Sequence, residues 1–343
     1  MSKAEACAVI LWAGATLYAV FGGADFGAGI LTLFTPRESE IGDRLRHRIA
    51  YSLGPVWEAN HVWLIFCLVV LWTAFPSAFG PIMESLYLPL ALAAVGIVLR
   101  GSGFAFGHAF TGKAHDRAEL VFAIASVITP FFMGCVVGAI ASGEVVPGND
   151  PSAFSAWFDW LPILVGLLFV ASSTYIASVF LVVDAEHAEE EDLSGWFRRA
   201  AVRIAVVAGL LAVAGLFAAS EQAEFIFDGL KGDALPLVIA SLLLGGLALF
   251  WLISGRLQGL RVFAVGAFVT MVWGWGVAQF PYLLPPADSP APPQADCGCL
   301  TIAGGAGADP TLTAVMIVFV CALLIVGPSL AYLYKLSQQQ LLE

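Results

Sequence analysis

The chain has 343 residues, of which 59% are hydrophobic and only 12% charged, with a formal net charge of −11. A soluble domain carries about a quarter charged residues, so this composition excludes an ordinary water-soluble enzyme and points to an all-α polytopic membrane protein. The cations form no basic stripe, which excludes nucleic acid as a partner, and the net negative charge carries little information because the charges fall in the connections.

Nine apolar runs are long enough to cross a bilayer: 7–34, 56–75, 81–100, 118–141, 157–184, 203–220, 235–254, 260–280 and 312–334. The first is too long, and its flank too poor in cations, for a cleavable signal segment. The predicted architecture is one transmembrane domain over 1–343. It comprises nine transmembrane helices as two four-helix units (about 1–142 and about 157–281), an outer Pro/Gly-rich loop (282–311) and a ninth helix (312–334). The connections after the first, third, fifth and seventh spans, with the C-terminal tail, hold thirteen of the fifteen Lys and Arg residues, from Arg37 to Lys335. Only Lys3 and Lys231 lie on the other side. Positive charge concentrates on the cytoplasmic side of membrane proteins, so the N-terminus is expected outside and the C-terminus in the cytoplasm.

The connections differ in character. The inner loop 185–202 carries Glu186, Glu189, Glu190, Glu191 and Asp192 and reads as a solvated charge run. The outer loop 281–311 is rich in Pro, Gly and Ala and reads as irregular. A faint internal echo joins TLYAVFGGAD, ending at Asp25, to TYIASVFLVVD, ending at Asp184.

The second span opens on a polar cluster in GPVWEANHVWLIFCLVVLWTAFP, from Gly54 to Pro76. Glu58 and His61 are three apart and lie on neighbouring helix faces, while Asn60 points away from them. Asp25 sits among Gly22, Gly23, Gly27 and Gly29, where Gly23 and Gly27 let a neighbouring helix come close. Ionisable groups inside a membrane are functional candidates. With the N-terminus outside, Asp25, Glu58 and His61 converge near the cytoplasmic side, and carboxylates with a histidine are the parts of a proton relay. The plainer alternatives are that Glu58 caps a helix end, that His61 only packs, and that Asp25 merely bonds across a helix interface. Arg100, ending the third span, is expected to snorkel to the cytoplasmic surface. A pairing with Glu58 or a partner subunit is the lesser alternative.

His47, His108, His115 and His187 fall in inner loops and read as solvated. His61 alone lies within a span, so the chain by itself lacks the histidine pair of a bis-histidine haem site, and no metal site is expected. Cys7, Cys67, Cys135 and Cys321 lie in apolar runs and read as small packing residues. Cys297 and Cys299 form a Cys-Gly-Cys in the outer loop, where a disulfide is open. Trp57, Trp63, Trp72, Trp157, Trp160, Trp273 and Trp275 fall mostly near span ends, as an interfacial belt would.

These motifs resemble subunit II of cytochrome bd-type terminal oxidases. The family signature W-D-G-N-x-x-W-L with a following A-x-x-P is similar to Trp57-Glu58-Ala59-Asn60-His61-Val62-Trp63-Leu64, followed by Ala74-Phe75-Pro76 with one residue rather than two between Ala and Pro. The family pattern D-G-x-D-x-G-x-G is similar to Gly22 through Gly29, and Arg100 matches the Arg at the end of the third span. Glu58, Ala59, His61 and Gly22 depart from the usual residues and mark a divergent branch. The resemblance implies an oxidoreductase complex of the bacterial inner membrane that reduces oxygen to water, with quinol as the usual donor. It implies haem b and haem d in a partner, subunit I, and none bound by this chain alone. A structural quinone or lipid, and small single-span accessory subunits, occur in some members. It implies a proton path from the cytoplasm through Glu58, His61, Asp25, Trp57, Asn60 and Arg100. From the residues alone, two other readings stand beside it: a proton-coupled secondary transporter, which would use paired broken helices, and a structural scaffold.

Overall fold

The computed structural model describes residues 1–53, 57–107, 112–148, 154–289 and 298–338. Side chains at 53, 57–59, 104–107, 113, 330–331 and 333–338 also lie outside the description. The chain forms α1 (Lys3–Thr32), α2 (Glu40–Leu53), α3 (Trp57–Ala74), α4 (Pro76–Ser85), α5 (Tyr87–Gly107), α6 (Lys113–Ala141) and α7 (Trp160–His187). There follow α8 (Glu191–Gln222), α9 (Glu224–Lys231), α10 (Leu235–Ser254), α11 (Leu260–Gln279), β1 (Tyr282–Leu284), β2 (Leu300–Thr301), α12 (Ile302–Gly305) and α13 (Asp309–Gln338).

Among the described residues the fold is all-helical apart from the short β1–β2 pair, and seven helices are long and apolar enough to cross a membrane: α1, α6, α7, α8, α10, α11 and α13. An eighth span arises if α3 and α4 count as one, although they bend by 119° at Phe75. Pro76 opens α4 and restricts the residue before it, which explains the break there. The Tyr87–Gly103 part of α5 is a shorter apolar helix. Among the described residues, length and composition therefore mark seven or eight spans where the sequence suggests nine.

Small residues set the packing. Helix α7 is the most enclosed and touches α1, α6 and α8. A Cβ on Gly27 of α1 would stand 2.0 Å from the Ser173 carbonyl oxygen of α7, and one on Gly138 of α6 would stand 2.6 Å from Pro162 Cα. Helices in lipid gain cohesion from such close approach, since apolar side chains gain little by leaving lipid tails.

The contacts give the bundle two distinct ends. At one end α2 lies against the α7–α8 turn, with Arg44 bonded to Asp192 and Arg48 to Glu190. This is the basic end of the bundle: Arg100, Arg256 and Arg261 lie near helix ends there, and Arg198, Arg199 and Arg203 lie in the first half of α8. At the other end Lys3 pairs with Asp309 at 3.0 Å, and Leu161 N donates to Gln222 Oε1 at 2.8 Å.

Several connections are more ordered than the sequence suggests. Glu186, Glu189, Glu191 and Asp192 are exposed, as a solvated charge run should be, and the run 185–202 that carries them is the end of α7, a tight turn and the start of α8. Leu193, Phe197 and Ala201 recur at helical spacing and are fully buried, while Glu190 and Asp192 face the arginines of α2. Helix α2 itself escapes a reading based on apolar run length, because its buried face is only a stripe containing Leu45 and Ile49. In the outer loop, β1 pairs antiparallel with β2, Tyr282 opposite Thr301 and Leu284 opposite Leu300. Leu284 and Ile302 join the apolar core there, and Gly307 N donates to the Ala74 carbonyl at the α3–α4 break. Cys299 is disulfide-bonded, whereas Cys297 lies outside the described residues. Cys7 and Cys135 are buried as expected, but Cys321 is exposed on α13. Trp157 and Trp275 are packing residues rather than belt residues: Trp157 is buried and Trp275 meets Trp12 edge-on at 4.8 Å.

Gly27→Ala is expected to lower the thermal stability of the purified protein by about 1–3 kcal/mol, since a backbone atom blocks the new methyl group. Gly246→Ala, with nothing within 4 Å of its Cβ position, is the control and should be neutral or slightly stabilising.

Candidate functional site

The glycine-rich turn of α1 brings three helices together around Asp25. Gly27 admits α7, and Gly29 admits α6, where a Cβ would stand 2.2 Å from Ser126 Oγ. Helix α5 packs on α6 and ends nearby, carrying Arg100 into the same space. Asp25 and Arg100 are 1% and 2% exposed.

The pair is fully engaged. Arg100 Nη1 donates to Asp25 Oδ2 at 2.5 Å, and Nη2 donates to Oδ1 at 2.7 Å and to the Asp25 carbonyl at 3.1 Å. Arg100 Nε donates to Ser126 Oγ at 3.1 Å. The guanidinium lies over Phe122 and Phe26, 4.7 and 5.0 Å from the ring centres. A charge pair removed from water is tolerable when its geometry is bidentate and its remaining donors are satisfied. Here both carboxylate oxygens and four guanidinium N–H bonds are used.

This corrects the expectation that Arg100 snorkels to the surface. A buried carboxylate within reach keeps the guanidinium inside, because exposing Arg100 would strand Asp25 in the bundle. The plainer reading of Asp25, a bond across a helix interface, is what the geometry displays.

The start of α3 packs against the same part of α1. Asn60 is buried and its Nδ2 donates to the Phe21 carbonyl at 3.3 Å. The His61 ring stands edge-on to Tyr18 and Phe26, 6.2 and 6.0 Å between centres. Asp25, Arg100, Asn60 and His61 are thus gathered around residues 18–26 of α1. The side chains of Trp57 and Glu58 lie outside the described residues. His47, His115 and His187 are exposed, and His108 lies outside the described residues. Among the described residues the rings facing His61 are those of Tyr18 and Phe26.

Sequence reasoning misses Tyr18, Phe26, Phe122 and Ser126. Phe122 and Ser126 are four apart on one face of α6, a spacing that marks a shared face but not what it meets. The Tyr18 hydroxyl is buried without a hydrogen-bond partner among the described residues.

A second acid–arginine pair stands between α7 and α11. Arg261 Nη2 donates to Asp184 Oδ1 at 2.5 Å and to the Phe180 carbonyl at 3.0 Å, with the guanidinium 5.1 Å from the Phe180 ring centre. The chain separations are 75 residues for Asp25–Arg100 and 77 for Asp184–Arg261. The second pair is wetter, its side chains 37% and 30% exposed.

Asp25→Asn and Arg100→Gln should each destabilise the purified protein by about 3–5 kcal/mol, because each strands a buried charge. The double variant should recover part of that loss in thermal unfolding. Asp184→Asn at the wetter pair should cost no more than about 1 kcal/mol.

Comparison with known proteins adds a family to this geometry. Residues 4–337 match the family model for cytochrome bd terminal oxidase subunit II. The chain is 22% identical over 349 aligned residues to the putative cytochrome bd menaquinol oxidase subunit II of Bacillus subtilis (strain 168), covering 95% of this chain and 93% of that protein. It is 28% identical over 133 residues to cytochrome bd-I ubiquinol oxidase subunit 2 of Escherichia coli (strain K12), covering 38% of this chain and 34% of that protein. Its fold superposes on a chain of the bd oxidase of Geobacillus thermodenitrificans with a TM-score of 0.79, at 24% identity and 98% coverage of both chains. The secondary-transporter alternative loses ground here, since one bent helix pair, not two, is found among the described residues. With all but a few terminal residues inside the family model and the fold shared end to end, the chain belongs to the cytochrome bd terminal oxidase subunit II family.

Proposed function

We propose that this chain is the haem-free subunit of a quinol-oxidising terminal oxidase in a bacterial cell membrane, and that it leads protons from the cytoplasm to a haem-bearing subunit I. The partner, with its haem b and haem d, supplies the electron chemistry that reduces oxygen to water. Two relatives are named for menaquinol and ubiquinol, which supports quinol as the class of donor. In this reading the chain crosses the membrane nine times, with α5 and the α3–α4 pair both spanning. The basic end faces the cytoplasm. The bundle divides into two four-helix units, each with its own Asp–Arg pair.

The observation that carries the proton path is the gathering of Asn60, His61, Asp25 and Arg100 inside an apolar bundle at the basic end. Each residue has a separate role in the proposal. Glu58, at the start of α3, takes the proton from water. His61, one turn further in, accepts it and passes it on, since an imidazole can bind at one nitrogen and release from the other. Asn60 pins α3 to α1 through the Phe21 carbonyl. Asp25 and Arg100 act as a fixed charge pair beside the path. A proton reaching Asp25 would have to displace a guanidinium N–H, so the pair shapes the local field rather than relaying.

Glu58→Gln should slow oxygen reduction by the purified complex on the order of tenfold to a hundredfold at unchanged haem content, the scale of losing one proton-transfer group. Glu58→Asp should restore most of it. Normal turnover by Glu58→Gln would sink the path. Lost haem with normal turnover per remaining haem would favour the scaffold reading.

A further inference from the structure

A groove of about 260 Å³ opens between α8 and α10 at the basic end, lined by Arg198, Arg199, Val202, Arg203, Leu252 and Ile253. It lies far along the chain from the Asp25 cluster and owes nothing to the proton path. Among the described residues none of the three arginines forms an ion pair with a carboxylate, unlike Arg44, Arg46, Arg48, Arg100 and Arg261. Three guanidinium groups within six residues of one helix therefore present uncancelled positive charge to one cavity. The Arg198 guanidinium reaches across to α10 and stands 3.0 Å from where a Cβ of Gly255 would be. Gly255 caps the C-terminus of α10, and the carbonyl-rich end of a helix favours a cation there.

The level of the groove says what it meets. Beyond Arg203, α8 carries no charge until Glu221, and α10 carries none at all. The arginines therefore mark the boundary between headgroup and hydrocarbon. From that boundary an exposed apolar stripe runs down α8 through Val206, Leu210, Val213 and Phe217. At 1.5 Å per residue, Val206 to Phe217 spans about 16 Å, close to the depth of one leaflet. A cationic recess continuing into an apolar stripe of that length matches a headgroup with its acyl chain. The planar guanidinium forks suit phosphate oxygens.

We propose that the α8–α10 groove binds one anionic phospholipid, its phosphate held by Arg198, Arg199 and Arg203 and an acyl chain lying along α8. Basic pockets between membrane helices recognise acidic headgroups in this way.

The test is native mass spectrometry of the delipidated complex titrated with dioleoyl phosphatidylglycerol, dioleoyl phosphatidylcholine or inorganic phosphate. Wild type should hold one phosphatidylglycerol on the order of a hundredfold more tightly than Arg198→Gln/Arg199→Gln/Arg203→Gln, at about fivefold for each charge lost. Phosphatidylcholine should bind both proteins alike, and phosphate should not displace the lipid. If the triple variant does not assemble, Arg199→Gln alone should show the fivefold loss. Equal phosphatidylglycerol affinity in wild type and variant would overturn the proposal. So would equal affinity of wild type for the zwitterionic lipid, or displacement by phosphate, which would mark a site for free anions.

Discussion

The arrangement turns on a bidentate ion pair inside the apolar bundle, Asp25 with Arg100. Neither residue could stay in the bundle without the other, since an unpaired charge at that depth is costly. Together they tie the end of α5 to the glycine-rich turn of α1, and Ser126 adds α6 to the knot. The glycines are the enabling condition. A side chain at Gly27 or Gly29 would hold α7 or α6 off and open the pair to lipid or water.

Around this pair the other polar groups find their places. Asn60 fastens α3 to the Phe21 carbonyl, just before the acid, and His61 stands against Tyr18 and Phe26. Phe26 touches both systems, with one ring beside the His61 imidazole and the Arg100 guanidinium. A bundle that needed only cohesion could rest on glycines set against apolar side chains, as α6 and α7 do at Gly134, Gly138 and Gly166. The concentration of amide, imidazole and charge at one end is what the proton-path reading explains.

The family and the helical membrane character were legible in the residues. Apolar runs reveal helices directly, and the motifs from Gly22 to Gly29 and from Trp57 to Leu64 are specific. What escaped were features decided by tertiary contact. Arg100 sits at the end of an apolar run and looks free to reach water. Only the approach of α1, set by Gly27 and Gly29 far earlier in the chain, turns it inward. Helix α2 and the start of α8 are amphipathic and charged, so a search for apolar length passes over them. Their arginines and carboxylates matter to each other, as Arg44 with Asp192 and Arg48 with Glu190, and no local pattern announces such a partner. The echo between Asp25 and Asp184 was visible but faint. Its physical content, an arginine partner at nearly the same chain separation for each acid, appears only in three dimensions.

In the proposed path the polar cluster admits protons at the basic end of the bundle, so uptake has a direction. The direct measurement uses sealed proteoliposomes holding the complex in one known orientation, with a pH dye first inside and then outside. When reduced enzyme meets a pulse of oxygen, the protons consumed should come from the compartment facing Arg44 and Arg198. Consumption from the opposite compartment, at the end marked by Lys3 and Asp309, would contradict the account.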